Sequence, residues 1–155
     1  LLNKEKVCSH ITNDILQEHS DVSKVIVCVD SECTPPQEIE KEVRKVEKNI
    51  TSEVKHSVHY VVVVHALEGW LLAGPESIRE YLGARVKVNI PPSATLECKP
   101  KKVMSGIFSQ SGKEFLYTRD NPRITERIHP DEIARRNPSF GKFMDRIRNP
   151  DAWYS

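Results

Sequence analysis

Two runs of β-branched residues constrain this chain more than any other feature. Lys24–Asp30 (KVIVCVD) and Val58–Val64 (VHYVVVV) are apolar without alternation, as strands covered on both faces are. Between them, Thr34-Pro35-Pro36-Gln37 reads as a helix start. Thr34 caps, Pro35 suits the first helical position, and Gln37 completes a capping box. Ile39, Val43, Val46 and Ile50 then share one stripe, and Glu, Lys and Arg fill the opposite face. Strand, helix, strand is a βαβ unit, and such units build parallel sheets.

The flanking segments read as helices. Val7, Ile11 and Ile15 recur at spacing four and predict an amphipathic helix over 3–18. Residues 66–73 (ALEGWLLA) predict a short helix with Trp70 in the core. Gly74-Pro75 ends it and starts another that stops at Gly83. A short edge strand is expected over 85–88 and a loop over 89–98, which holds Pro91 and Pro92. In the last third, Asn121-Pro122, His129-Pro130 and Asn137-Pro138 each read as a cap followed by proline at the first helical position. Ile124, Ile128, Ile133, Phe140, Phe143 and Ile147 supply its apolar faces. A length of 155 residues suits a single domain, with an α/β portion over 1–98 and a basic helical portion over 99–155.

The formal net charge of +1 conceals an asymmetry. From Lys99 onward there are 12 Lys and Arg against 7 Asp and Glu; before it the counts are 11 and 15. That division fits an acidic metal site beside a phosphate-binding surface, or simply solvated helix faces. No apolar run approaches the ~18 residues of a membrane helix, so no membrane partner is expected. Lys4, Glu5 and Lys6 argue against a signal peptide. Cys8, Cys28, Cys33 and Cys98 include no C-x-x-C pair, which argues against zinc. The expectation is a cytoplasmic protein with reduced thiols, Cys28 being a small core residue.

Chemistry is expected at the carboxyl ends of the two strands, where ligands collect in open α/β sheets. Asp30-Ser31-Glu32 ends the first strand, and His65 to Glu68 leaves the second on the same edge. Asp30, Glu32 and Glu68 thus converge, and such carboxylates suit Mg²⁺ or Mn²⁺. The alternative is a turn cap, a solvated side chain and a lysine partner. His65 and Glu68, three apart, read as a metal or acid–base pair, or as an ordinary capping histidine. Lys99, Lys101 and Lys102 cluster at a helix start, and Arg119, Arg123 and Arg127 follow at spacing four. These suit phosphate contacts with DNA or RNA as well as a solvated surface. These charges are not read as interleaved with aromatic residues, so no stacking platform for single strands is expected.

The stretches VIVCVDSECTPP, VHYVVVVHALEGWLLAGPESIREYLG, ECKPKKVM and YTRDNPRITERI resemble the family catalogued as domain of unknown function 4276. That family is grouped with Toprim-like proteins. The resemblance runs from about Val25 to about Phe143, and HALEGWLLA is its most specific part. It implies a doubly wound, mostly parallel sheet with flanking helices and Mg²⁺-dependent phosphoryl transfer or nuclease action. By resemblance, Asp30 and Glu32 match the Toprim D-x-D, with Glu in the second place, and Glu68 matches the acidic position ahead of the tryptophan. These three are the implied catalytic and metal residues; Lys99, Lys101, Lys102, Arg119 and Arg123 are the expected nucleic-acid contacts. The rival expectation is a non-catalytic phosphate-, nucleic-acid- or protein-binding module of the same fold. The N-terminal strand with its Glu-Gly turn is not in this sequence, and there is no initiator Met. Either the sequence is a truncated piece or this member lost that element. Such a loss leaves a sheet edge open to a second copy or a partner protein.

Overall fold

A computed structural model describes residues 3–54, 57–83 and 86–148. Within these residues the chain gathers into two compact units. Among the described residues, the first draws on those up to Val29 and those from Thr34 to Val62; the second combines Asp30–Cys33 with those from Val63 to Arg148.

The first unit is the βαβ core. Its opening helix runs through α1 (Lys4–His10), a π-helical turn (Ile11–Ile15) and a final turn, α2 (Leu16–Glu18). Strand β1 (Val25–Asp30), helix α3 (Pro36–Val54) and strand β2 (Val58–Val63) follow. Helix α3 begins one residue after the expected position, a normal scatter for a helix end. The strands are parallel neighbours. Val25 N–H donates to Ser57 O at 2.9 Å and Ser31 N–H to Val63 O at 3.0 Å, so both chains advance together. Ile39, Val43 and Ile50 of α3 are buried with Ile11, Val25, Val58 and Val62. Each fully buried aliphatic side chain of this kind stabilises the unit by roughly 1.5–3 kcal/mol. Tyr60 lies in the same core, and burial pushes its phenol up to about 12.

Two expectations change here. Strand β2 is buried along its whole length, but β1 is not: Cys28 and Asp30 are exposed, while Val27 and Val29 are half-buried. One face of β1 is therefore covered and the other open, and Cys28 is not a core residue. The protein is mixed α/β with flanking helices, and among the described residues its sheet has two strands. Val86–Val88 form no strand; Arg85 lies outside the described residues.

The second unit is helical. It contains α4 (Leu67–Leu72), α5 (Pro75–Leu82), a 3₁₀ turn (Pro92–Leu96), α6 (Pro100–Gln110), α7 (Tyr117–Thr125), α8 (Pro130–Arg136) and α9 (Pro138–Arg148). Gly83 ends α5 at φ 106°, a conformation open to glycine. Gly69 has a packing reason: a Cβ there would sit 3.1 Å from the Thr95 carbonyl. Leu72, Ile78, Met104, Phe108 and Ile124 form the fully buried centre. Trp70 is core as expected. Its Nε1–H donates to Ser139 Oγ at 2.7 Å, and its ring packs on Phe140 and Phe143. Asn137 is a true cap, its Oδ1 accepting from the N–H groups of Ser139 and Phe140. His129-Pro130 also starts a helix. Asn121-Pro122 does not: both lie inside α7, which begins at Tyr117. The cap comes from Asp120, whose Oδ2 accepts from Leu116 N–H at 2.7 Å. Among the described residues no helix is long and apolar enough to cross a membrane.

Candidate functional site: an acidic and basic cleft

All the chemistry-bearing residues singled out by sequence lie in the second unit, and several line one cleft of about 390 Å³. Asp30, Glu32, Cys33 and His65 come from the two strand ends; Cys98, Lys99, Lys101 and Lys102 come from the approach to α6 and its first turn. The lysines are exposed, and the first turn of an eleven-residue helix adds a favourable environment for anions.

The acidic wall is locked by its backbone. Glu32 N–H donates to His65 O at 2.8 Å, and His65 N–H donates to Ser31 Oγ at 2.9 Å. The His65 ring also bonds through Nδ1 to the Glu32 carbonyl, and since a carbonyl only accepts, Nδ1 is the donor. Ser31 is buried, which explains why this short polar residue sits between the two acids. Loss of solvent raises the Asp30 carboxyl above the usual carboxylate range; Glu68 and Glu32 add to this, and Lys101 and the Leu67 N–H oppose it.

Glu68 behaves differently from Asp30 and Glu32. It is buried in α4, and its Oε1 accepts from Asn121 Nδ2 at 2.9 Å. It does not line the cleft, although its charge reaches Asp30. Among the described residues no three His, Cys, Asp or Glu side chains are grouped so as to hold a metal ion. Arg119 and Arg123 do not line the cleft either. The Arg119 guanidinium is bound to Asp120 at 2.7 Å and to the Glu114 carbonyl at 2.7 Å. Arg127 lies beyond the end of α7, near the Tyr81 ring.

Cys33 and Cys98 are joined by a disulfide, with Cα atoms 5.0 Å apart. This corrects the expectation of four reduced thiols. The bond ties the strand-end loop carrying Glu32 to the segment carrying Lys99. Sequence alone gave no sign of it, because 65 positions separate the two residues.

The family model for the domain of unknown function DUF4276 matches residues 3–148. The chain belongs to the DUF4276 family. No curated protein and no solved structure matches it. In this DUF4276 chain the HALEGWLLA stretch spans His65 on the cleft wall, the buried Glu68, close-packed Gly69 and core Trp70. Its residues thus divide between the cleft and the packing beneath it.

Proposed function

We propose that this cleft is a Toprim-like phosphoryl-transfer site acting on nucleic acid with Mg²⁺ or Mn²⁺. One observation carries the reading: Asp30 and Glu32 share a cleft with Lys99, Lys101 and Lys102. Carboxylates opposite lysines suit a cation and a phosphate ester held side by side.

The donors fit Mg²⁺ in kind, and two carboxylates leave room for water and substrate oxygens. Mg²⁺ prefers carboxylate oxygens, keeps several waters, and is commonly held by one or two carboxylates plus substrate phosphates. Asp30 and Glu32 are those carboxylates in this reading, and the substrate completes the set. A bound ion would polarise the phosphodiester and offset developing charge. The chain's own residues do the rest. The lysines hold the nucleic-acid backbone without reading sequence. Glu68, tied to Asn121, acts electrostatically on Asp30.

The rival is a phosphate-binding module without catalysis, favoured by the lack of a three-ligand group among the described residues. Calorimetric titration of Mn²⁺, with and without a short oligonucleotide, separates the two. The proposal expects saturable Mn²⁺ binding that strengthens with the oligonucleotide and disappears in Asp30→Asn. Oligonucleotide binding that ignores both metal and Asp30→Asn would establish the module instead.

A further inference from the structure

We infer that the cleft takes single-stranded nucleic acid, with a phosphate among Lys99, Lys101 and Lys102 and a neighbouring base stacked on Tyr117. The inference rests on the reading of the cleft as a phosphate site and adds the substrate class.

Tyr117 opens α7, and at 55% it has the highest exposure among the large hydrophobic residues described. Lys101 Nζ stands 4.8 Å from the centre of its ring. Lys101 also lines the cleft and acts electrostatically on Asp30. One lysine therefore joins the phosphate-binding wall to an exposed aromatic ring. Leu116, 42% exposed, precedes the tyrosine and extends the apolar surface.

A nucleotide presents this same pairing of chemistries. Its phosphate and base are separated by one sugar, so a phosphate held by Lys101 brings an adjacent base toward Tyr117. Proteins that bind single strands combine a cationic groove with aromatic rings in this way, and each stacked base contributes roughly 1–3 kcal/mol. A duplex keeps its bases stacked on one another and offers no free base face to an isolated ring. The expectation of no aromatic among the basic residues is thereby corrected. Tyr117 is sixteen positions from Lys101 in sequence, and only the packing of α6 and α7 brings them together.

Fluorescence anisotropy on the full chain tests this with two probes at low salt: a short oligodeoxythymidylate and a base-free sugar-phosphate oligomer of equal length. Wild-type protein is expected to prefer the base-bearing probe by roughly tenfold. Tyr117→Ala should abolish that preference, so that the two probes bind alike, while Tyr117→Phe should retain it. A preference that survives Tyr117→Ala overturns the stacking role. Equal wild-type affinity for both probes overturns it too, yet leaves the phosphate site standing. Binding of neither probe overturns the phosphate reading and the stacking together.

Discussion

Glu32 and His65 face each other across the strand ends with positive φ, 49° and 62°, and the Glu32 N–H donates to the His65 carbonyl at 2.8 Å. Neither residue is glycine, and left-handed backbone at such positions costs on the order of 1 kcal/mol each. The His65 ring and the Ser31 hydroxyl supply the bonds that hold this geometry. Strained pairs of this kind cluster where function requires fixed side chains.

That pair yields an ordering of variants. Glu32→Gly relieves the left-handed penalty and should leave the melting temperature equal or higher. Glu32→Val places a β-branched residue at positive φ and should cost about 1–2 kcal/mol. Thermal denaturation of the two variants checks it. A valine variant as stable as the glycine variant would show that the Glu32 backbone is not strained.

The Glu68–Asn121 pair predicts a charge effect. Asn121 donates to a carboxylate that is only 3% exposed, while its own Oδ1 has no hydrogen-bond partner among the described residues. Asn121→Asp keeps the shape and sets a second carboxylate against the first. Stability at neutral pH should fall by roughly 2–3 kcal/mol and recover partly in acid, as one of the two carboxyls takes up a proton. Chemical denaturation at pH 7 and pH 4.5 reads both halves of the prediction. Equal stability of the variant and the wild type at pH 7 counts against the pairing.

What could be read from sequence follows from how far each signal reaches. The βαβ unit was legible because Ile39, Val43 and Ile50 repeat locally and β2 is uniformly apolar. Asp30 and Glu32 were legible as cleft residues because strand-end placement is a topological rule. The open face of β1 was not, since VIVCVD looks the same whether one face is covered or two. Asn121-Pro122 misled because an Asn-Pro pair resembles a cap, whereas Asp120 reaches back to Leu116 and starts α7 earlier. Tyr117 beside Lys101 and Asn121 beneath Glu68 are tertiary neighbours with no local signature.

Asp120 gives an acid limit. Burial works against its charge. The Arg119 guanidinium, the Leu116 N–H and the Tyr81 hydroxyl together outweigh burial and hold its carboxyl at about 2. Its folded value lies below the unfolded value of 3.8, so its contribution to stability is present above about pH 4 and fades as pH falls toward 2. Asp120→Ala should lower stability at neutral pH by about 2–3 kcal/mol and flatten the loss between pH 4 and 2. Denaturation midpoints across that range test the sign. A variant with the same acid slope as wild type would rule out Asp120 as its source.

The Cys33–Cys98 disulfide makes a redox prediction. It closes a loop of 65 positions, and in the chain-entropy account a loop of that length stabilises the folded state by about 4 kcal/mol. Both cysteines line the cleft, one beside Glu32 and the other beside Lys99. Reduction should therefore lower the melting temperature and also weaken Mn²⁺ or oligonucleotide binding, since the two walls lose their covalent tie. The double variant Cys33→Ser, Cys98→Ser should behave as the reduced protein does and respond no further to dithiothreitol. Cys8 and Cys28, which lie outside the disulfide, serve as internal controls, because a reductant effect that persists in the double variant must come from elsewhere. Loss of stability with unchanged binding would confine the disulfide to a structural role. Loss of both would make the cleft itself sensitive to redox state.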